Sequence, residues 1–229
     1  MYVFLSVFSN NQKHGILALL LSALFITNSH ASIQAPDIML DTATKTMLRS
    51  INENRAEIKQ SPDKLTSLVE QIILPHLDFI AASKIVMGKY WRTAEKEQKI
   101  KFIKEFRTLL LRFYSSALAE YLSNKDKALD ENLIHYLPVE IKEGETSLTV
   151  RAELKSDDGK MIPIYYRVHL TDKGWKIFDV SVEGISMITT YKNNFATQFK
   201  TEGIDALIAS LQEKNKQMLV NNKQDKKAP

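Results

Sequence analysis

The segment GWKIFDVSVEGISMITTYKNNF, residues 174–195, passes from a strand into a helix, and the rest of the chain is arranged around that change. Trp175, Ile177, Phe178, Val180 and Val182 are aromatic or β-branched and fall on both faces of a pleat. With few polar side chains to wet either face, this strand suits the middle of a domain. At Glu183-Gly184 the period changes. Ile185, Ile188, Tyr191 and Phe195 recur at three- and four-residue spacing, the mark of an amphipathic helix. Gly184 supplies the backbone freedom for the corner.

Working outward, the chain has 229 residues, enough for one well-cored domain or two small ones. It is 44% hydrophobic and 25% charged, an ordinary globular composition. Seven glycines argue against a Gly-rich nucleotide loop. At the start, Lys13 and His14 precede the apolar run Ile16 to Ile26, and Ser29-His30-Ala31 has small-x-small cleavage character. That run is about half of the ~20 residues a spanning helix needs. Residues 1–31 therefore read as a signal peptide cut near Ala31, and residues 32–214 as a single domain. Residues 215–229 read as a Lys-rich tail, solvated and frayed. An exported chain of this size with no cysteine lacks a disulfide framework, a thiol nucleophile and a thiolate metal site, and fits the bacterial periplasm. A formal charge of +4, well mixed along the chain, gives no case for nucleic acid as a partner.

Helical patterns come first. An apolar stripe runs from Asp37 to about Gln60, and Ser61-Pro62-Asp63 restarts a short helix that stops near Pro75. Residues 78–88 form another, with Asp78 at its start and Gly88 just past its end. A long helix follows, with Thr93 as its candidate N-cap. Phe102, Ile103, Phe106, Leu109, Leu110, Phe113, Ala117, Leu118 and Tyr121 give it a wide aromatic face. Strands come next: Leu133 to Lys142, interrupted by Pro138, then Thr146 to Lys155, then Met161 to Leu170, then the strand opening at Trp175. Short turns join them into a meander. A helix from Ser186, a break at Gly203 and a last short helix through Leu207, Ile208 and Leu211 close the chain. The fold class is α+β: a curved four- to five-stranded antiparallel sheet covered by several helices, a form that can leave an apolar cavity instead of a filled core.

No catalytic set is visible. His76, His135 and His169 share no metal-binding spacing with one another or with carboxylates, and their expected roles are structural or solvated. Asp179 sits mid-strand on the face of Trp175 and Ile177, where an acid is costly unless paired. It is either a general base in an apolar pocket or, as the residues favour, an acid paired with a nearby cation or capping a helix. The aromatic stripe has two readings as well. It is core, or it lines a site for acyl chains, which bind through area and need no polar motif.

The segment LDFIAASKIVMGKYWRTAEKEQKIKFIKEFRTLLLRFYSSALAEY resembles the signature of the MlaC (toluene-tolerance) family. The resemblance is carried by Asp78, Phe79, Ser83, Gly88, Trp91, Arg92, Ala94, Gln98, Phe102, Phe106, Leu109, Leu110 and Tyr114. Residues 174–195 are similar to the family's closing signature through Trp175, Lys176, Asp179, Val180, Glu183, Gly184, Ser186, Tyr191 and Phe195, with Gly203 following. Met87 stands where the family shows Val or Leu, and Phe178 where it shows Tyr; both keep the apolar character. The resemblance implies a periplasmic phospholipid carrier, not an enzyme, with phospholipid as cargo and no cofactor or metal. It implies shuttling between an inner-membrane Mla-type ABC transporter complex and an outer-membrane MlaA-type lipoprotein with its porin, which maintains outer-membrane lipid asymmetry. A monomer is expected, with weak head-group selectivity. Together with the periodicity, the resemblance gives the expected lipid-binding residues: Phe106, Leu110 and Phe113 from the long helix, Val150, Ile164, Tyr166 and Val168 from the sheet, and Ile185 and Ile188 from the corner. Two other readings remain: an envelope interaction protein with a filled core, and a small-ligand enzyme on a cone-shaped α+β fold with Asp179 as base.

Overall fold

The computed structural model describes residues 33–61, 63–123 and 127–224, the last five of these as helical backbone. The expected leader, residues 1–31, and the end of the tail, residues 225–229, lie outside the described residues. The elements in chain order are α1 (Pro36–Glu53), α2 (Arg55–Gln60), α3 (Asp63–Leu68), a π-helical turn (Val69–Ile73), a 3₁₀ turn (Leu74–His76), α4 (Phe79–Met87), α5 (Tyr90–Thr93) and α6 (Lys96–Ser123). Strands β1 (Ile134–Tyr136), β2 (Ser147–Lys155), β3 (Met161–Thr171), β4 (Gly174–Val182) and β5 (Ile185–Ser186) follow, then α7 (Met187–Thr201) and α8 (Gly203–Gln224). The sheet is a five-stranded antiparallel meander in the order β1-β2-β3-β4-β5. Among the described residues no helix is long and apolar enough to cross a membrane.

Local chemistry sets the helix starts. Asp78 caps α4 by accepting from the Ala81 backbone N–H at 2.8 Å, a contact of about 1 kcal/mol. Ser186 does the same for α7, accepting from the Thr189 N–H at 3.0 Å. The long helix does not begin at Thr93, which closes the single turn α5 instead. The Gln98 side chain reaches back to the Glu95 N–H at 3.0 Å, the returning half of a capping box, so α6 begins after Glu95. The N-terminal stripe is likewise broken, at Asn54, into α1 and α2.

At the Glu183-Gly184 corner the chain makes one more strand before turning helical. Glu183 and Gly184 both take positive φ, 50° and 81°, as a two-residue hairpin turn of the primed kind requires. The result is β5, paired as Ser181↔Ser186 and Val182↔Ile185. So β4 is bordered by β3 on one side and on the other by the short β5 and a single parallel bridge from Leu77 to Ile177. It is a near-edge strand covered by helices. The expected strand from Leu133 to Lys142 shrinks to β1, because Pro138 removes a ladder donor just beyond it.

Three apolar clusters fill most of the interior. The largest joins α4, α6, α7 and α8 around Phe102 and Phe106, both fully buried. A second packs Met39 and Leu40 of α1 onto Val150, Val168, Trp175 and Ile177 of the sheet. The third closes α1, α2, α3 and the end of α6 around Ile51 and Leu65. The last helix is not short. It runs through residues 215–224, which read as frayed tail in sequence, because Asn215 is buried and bonded to Glu105 of α6, and Met218 packs on the first cluster. Lysines at 214 and 216 hide this signal, since they ride the outer face of the same helix.

Candidate ligand cavity

Between α6 and β4 the packing stops short. A cavity of about 320 Å³ opens there, inside the size range of small-molecule sites, about 300–1,000 Å³. One wall is α6, through Leu110, Leu111, Tyr114, Ser115 and Leu118. The facing wall is Ile177 to Val180 of β4 with Tyr166 of β3. Val69, Ile73, Leu74, Leu77, Phe79 and Ala82 close one side from the π turn to α4, and Met47, Met187 and Ile188 complete the lining. The irregular backbone contributes directly. A π turn adds a residue to one helical turn, and Val69 and Ile73 sit at its two ends.

Three of the five polar side chains on this wall, Asp78, Tyr166 and Asp179, are engaged by neighbouring groups. Asp78 accepts from its own helix and is 2.8 Å from His169 Nε2. Tyr166 and Tyr136 bring their hydroxyls to 3.5 Å of each other, and the Tyr136 hydroxyl also meets Thr44 at 2.6 Å. Burial pushes both phenols up from their ordinary value, so they stay protonated. Burial likewise pushes the Tyr114 and Tyr191 phenols up from their ordinary value. The Ser115 hydroxyl is buried and has no protein partner.

Asp179 shows how a buried acid is accommodated. The β3–β4 register shifts between Arg167 and Val168: Val168 pairs with Ile177, Arg167 with Asp179, and Phe178 is left over as a bulge. The bulge moves Asp179 off the face of Trp175 and Ile177, where plain alternation puts it. Its carboxylate accepts from Ser186 Oγ at 2.7 Å and from the Ile188 N–H at 3.2 Å, with Arg167 Nη1 at 3.6 Å. It thus serves the N-terminus of α7, where negative charge is favoured, and faces a cation as well. A general base needs a free lone pair aimed at the ligand; these oxygens are committed to the corner. Among the described residues no group of three His, Asp or Glu side chains could hold a metal ion.

Of the nine residues expected at the site, the structure brings Leu110, Tyr166 and Ile188 to the cavity wall. Phe106 is closed into the largest cluster, with its ring 5.2 Å from Tyr191 and 5.6 Å from Phe102. Phe113 turns outward, 49% exposed, edge-on to Tyr114. Val150 and Val168 are fully buried in the second cluster, with Met39 and Leu40 of α1. Ile164 is buried beside Ala152 and Val182 across the strands, and Ile185 is 68% exposed on β5. The sequence reading missed Leu111, Ser115 and the contribution of residues 69–79. A second α6 stripe at 111, 114/115 and 118 was available as a signal; the π turn left none.

An open antiparallel sheet roofed by helices, with an apolar cavity between them, defines a binding protein for an apolar or amphiphilic ligand. Comparison with known proteins narrows the class. The family model described as MlaC protein matches residues 41–213, and the chain belongs to the MlaC family. It is 26% identical over 214 residues to the intermembrane phospholipid transport system binding protein MlaC of Haemophilus influenzae, covering 90% of this chain and 94% of that one. It is 26% identical over 194 residues to the toluene tolerance protein ttg2D of Pseudomonas putida, covering 84% and 85%. A solved structure, the phospholipid-binding protein from Ralstonia solanacearum in complex with a phospholipid, superposes with a TM-score of 0.69 at 28% identity. That alignment covers 81% of this chain and 99% of the other.

Proposed function

We propose that this chain is a periplasmic phospholipid carrier, holding the acyl chains of a glycerophospholipid in the cavity between α6 and β4. The observation that carries the reading is a cavity of about 320 Å³ lined almost wholly by apolar side chains, with its two carboxylates, Asp78 and Asp179, engaged by neighbouring groups. Family membership and phospholipid-binding relatives support the same ligand class. Such a wall binds through area. Each methylene moved out of water contributes about 0.8 kcal/mol, so about ten of them reach the scale of a micromolar complex before association costs. The contacts we assign to the chains are Leu110, Leu111 and Leu118 of α6, Tyr166 and Phe178 of the sheet, and Ile188 of α7.

In this reading the protein is exported by residues 1–31 and performs no chemistry on its cargo. It exchanges lipid with an inner-membrane Mla-type ABC transporter complex and with an outer-membrane MlaA-type lipoprotein and its porin. One cavity in one chain needs no second copy, so it works as a monomer. The test is mass spectrometry of an organic extract of the protein purified from the periplasm without detergent. The expected result is about one phospholipid per chain. An extract without phospholipid overturns the reading.

A further inference from the structure

A second space adjoins the cavity. It is an open cleft of about 700 Å³ that shares Leu74, Leu77, Asp78 and Phe79 with the cavity lining. One face of α6 runs along both. Ile103 and Arg107 line the cleft, and Leu110 or Leu111, Tyr114 and Leu118 continue into the cavity at helical spacing. That face therefore grades from a cation to hydrocarbon over about three turns.

The chemistry of the two spaces is opposite. Arg107, Lys173 and Lys176 bring three cations to the cleft, with Glu70 and Asp172 also on its wall. Asp78 is taken by His169, and Lys176 donates to the Pro75 carbonyl. Arg107 and Lys173 are exposed and make no side-chain hydrogen bond or ion pair among the described residues. An amphiphile whose chains enter the cavity past Leu74 and Phe79 has its polar end in the cleft. An arginine fork and a lysine point charge suit a phosphodiester there.

We propose that the cleft binds the phosphodiester of the lipid, with Arg107 and Lys173 as its cationic contacts; the inference rests on the phospholipid-carrier reading.

The exported full chain, stripped of lipid, is titrated with two probes carrying the same acyl chains, a phosphatidylglycerol and a diacylglycerol. The wild type is expected to hold the phospholipid about tenfold tighter, the scale of one charge-assisted contact. The double variant Arg107→Gln/Lys173→Gln binds both probes equally, at the diacylglycerol level. Both positions are exposed, so circular dichroism is unchanged. A Glu70→Gln/Asp172→Asn variant keeps the preference. A wild type that does not discriminate, or a double variant that still does, overturns the proposal. A wild type that binds neither probe sinks the carrier reading and takes the cleft with it. Inorganic phosphate separates the lipid's phosphate from a free anion. Shifts of the Arg107 and Lys173 resonances confined to lipid-free protein support the proposal, and equal shifts in lipid-loaded protein contradict it.

Discussion

Two faces of α6 carry the same kind of side chain and meet opposite fates. Phe102, Phe106 and Leu109 are closed against α4, α7 and α8, with aromatic rings 5–6 Å apart. About half a turn around the helix, Leu111, Ser115 and Leu118 line the cavity. The residues do not decide this; the partners do. The closed face meets apolar side chains of three helices, among them Val86, Phe199 and Leu207, whereas the other meets a bulged strand and a π turn. The bulge commits Asp179 to α7, and the π turn adds backbone where a regular helix has none. Apolar periodicity reports that a face is covered. It does not report whether protein or ligand covers it.

The comparison can be broken by mutation, and the largest effect belongs to the closed face. Phe106→Ala is expected to cost about 3–5 kcal/mol in urea unfolding, because the ring is fully buried, and to leave the lipid content of the folded fraction unchanged. If it empties the protein of lipid instead, the two faces are not separate. Next comes Asp179→Asn, expected to lower stability by about 1–3 kcal/mol by weakening the α7 cap, with bound lipid retained. Loss of function at wild-type stability would revive the enzyme reading. Leu111→Trp fills the cavity: lipid retention should fall about tenfold or more while stability moves by about 1 kcal/mol or less. Full retention with the indole in place would move the ligand elsewhere. Ser115→Ala is the smallest. Its hydroxyl has no protein partner to lose, so the unfolding midpoint should stay put or rise slightly. A large loss would reveal a hydrogen bond on which the wall depends.

Strand order, hairpin turns and most helix starts were legible, because alternation at Leu148, Val150 and Ala152 and caps such as Asp78 and Ser186 are local signals. So was the structural role of Asp179, which both caps a helix and faces Arg167. The site was only partly legible. Val150 and Val168 do face inward as read, but α1 lays Met39 and Leu40 over them, and no local pattern announces where a distant helix docks. The bulge at Phe178 and the π turn at Val69–Ile73 are departures from regular period that arise from tertiary packing. Periodicity could not find them, and the cavity lies between them.

The central claim is that lipid lies on the Leu111–Leu118 face of α6 and not on the Phe102–Phe106 face. Isotope-filtered NMR on protein loaded with phospholipid tests it directly, by recording contacts between acyl methylene protons and protein side chains. The account predicts contacts to the methyl groups of Leu111, Leu118 and Ile188, and silence at the Phe102 and Phe106 rings. Acyl contacts at those rings, with none at Leu111 or Leu118, would contradict it.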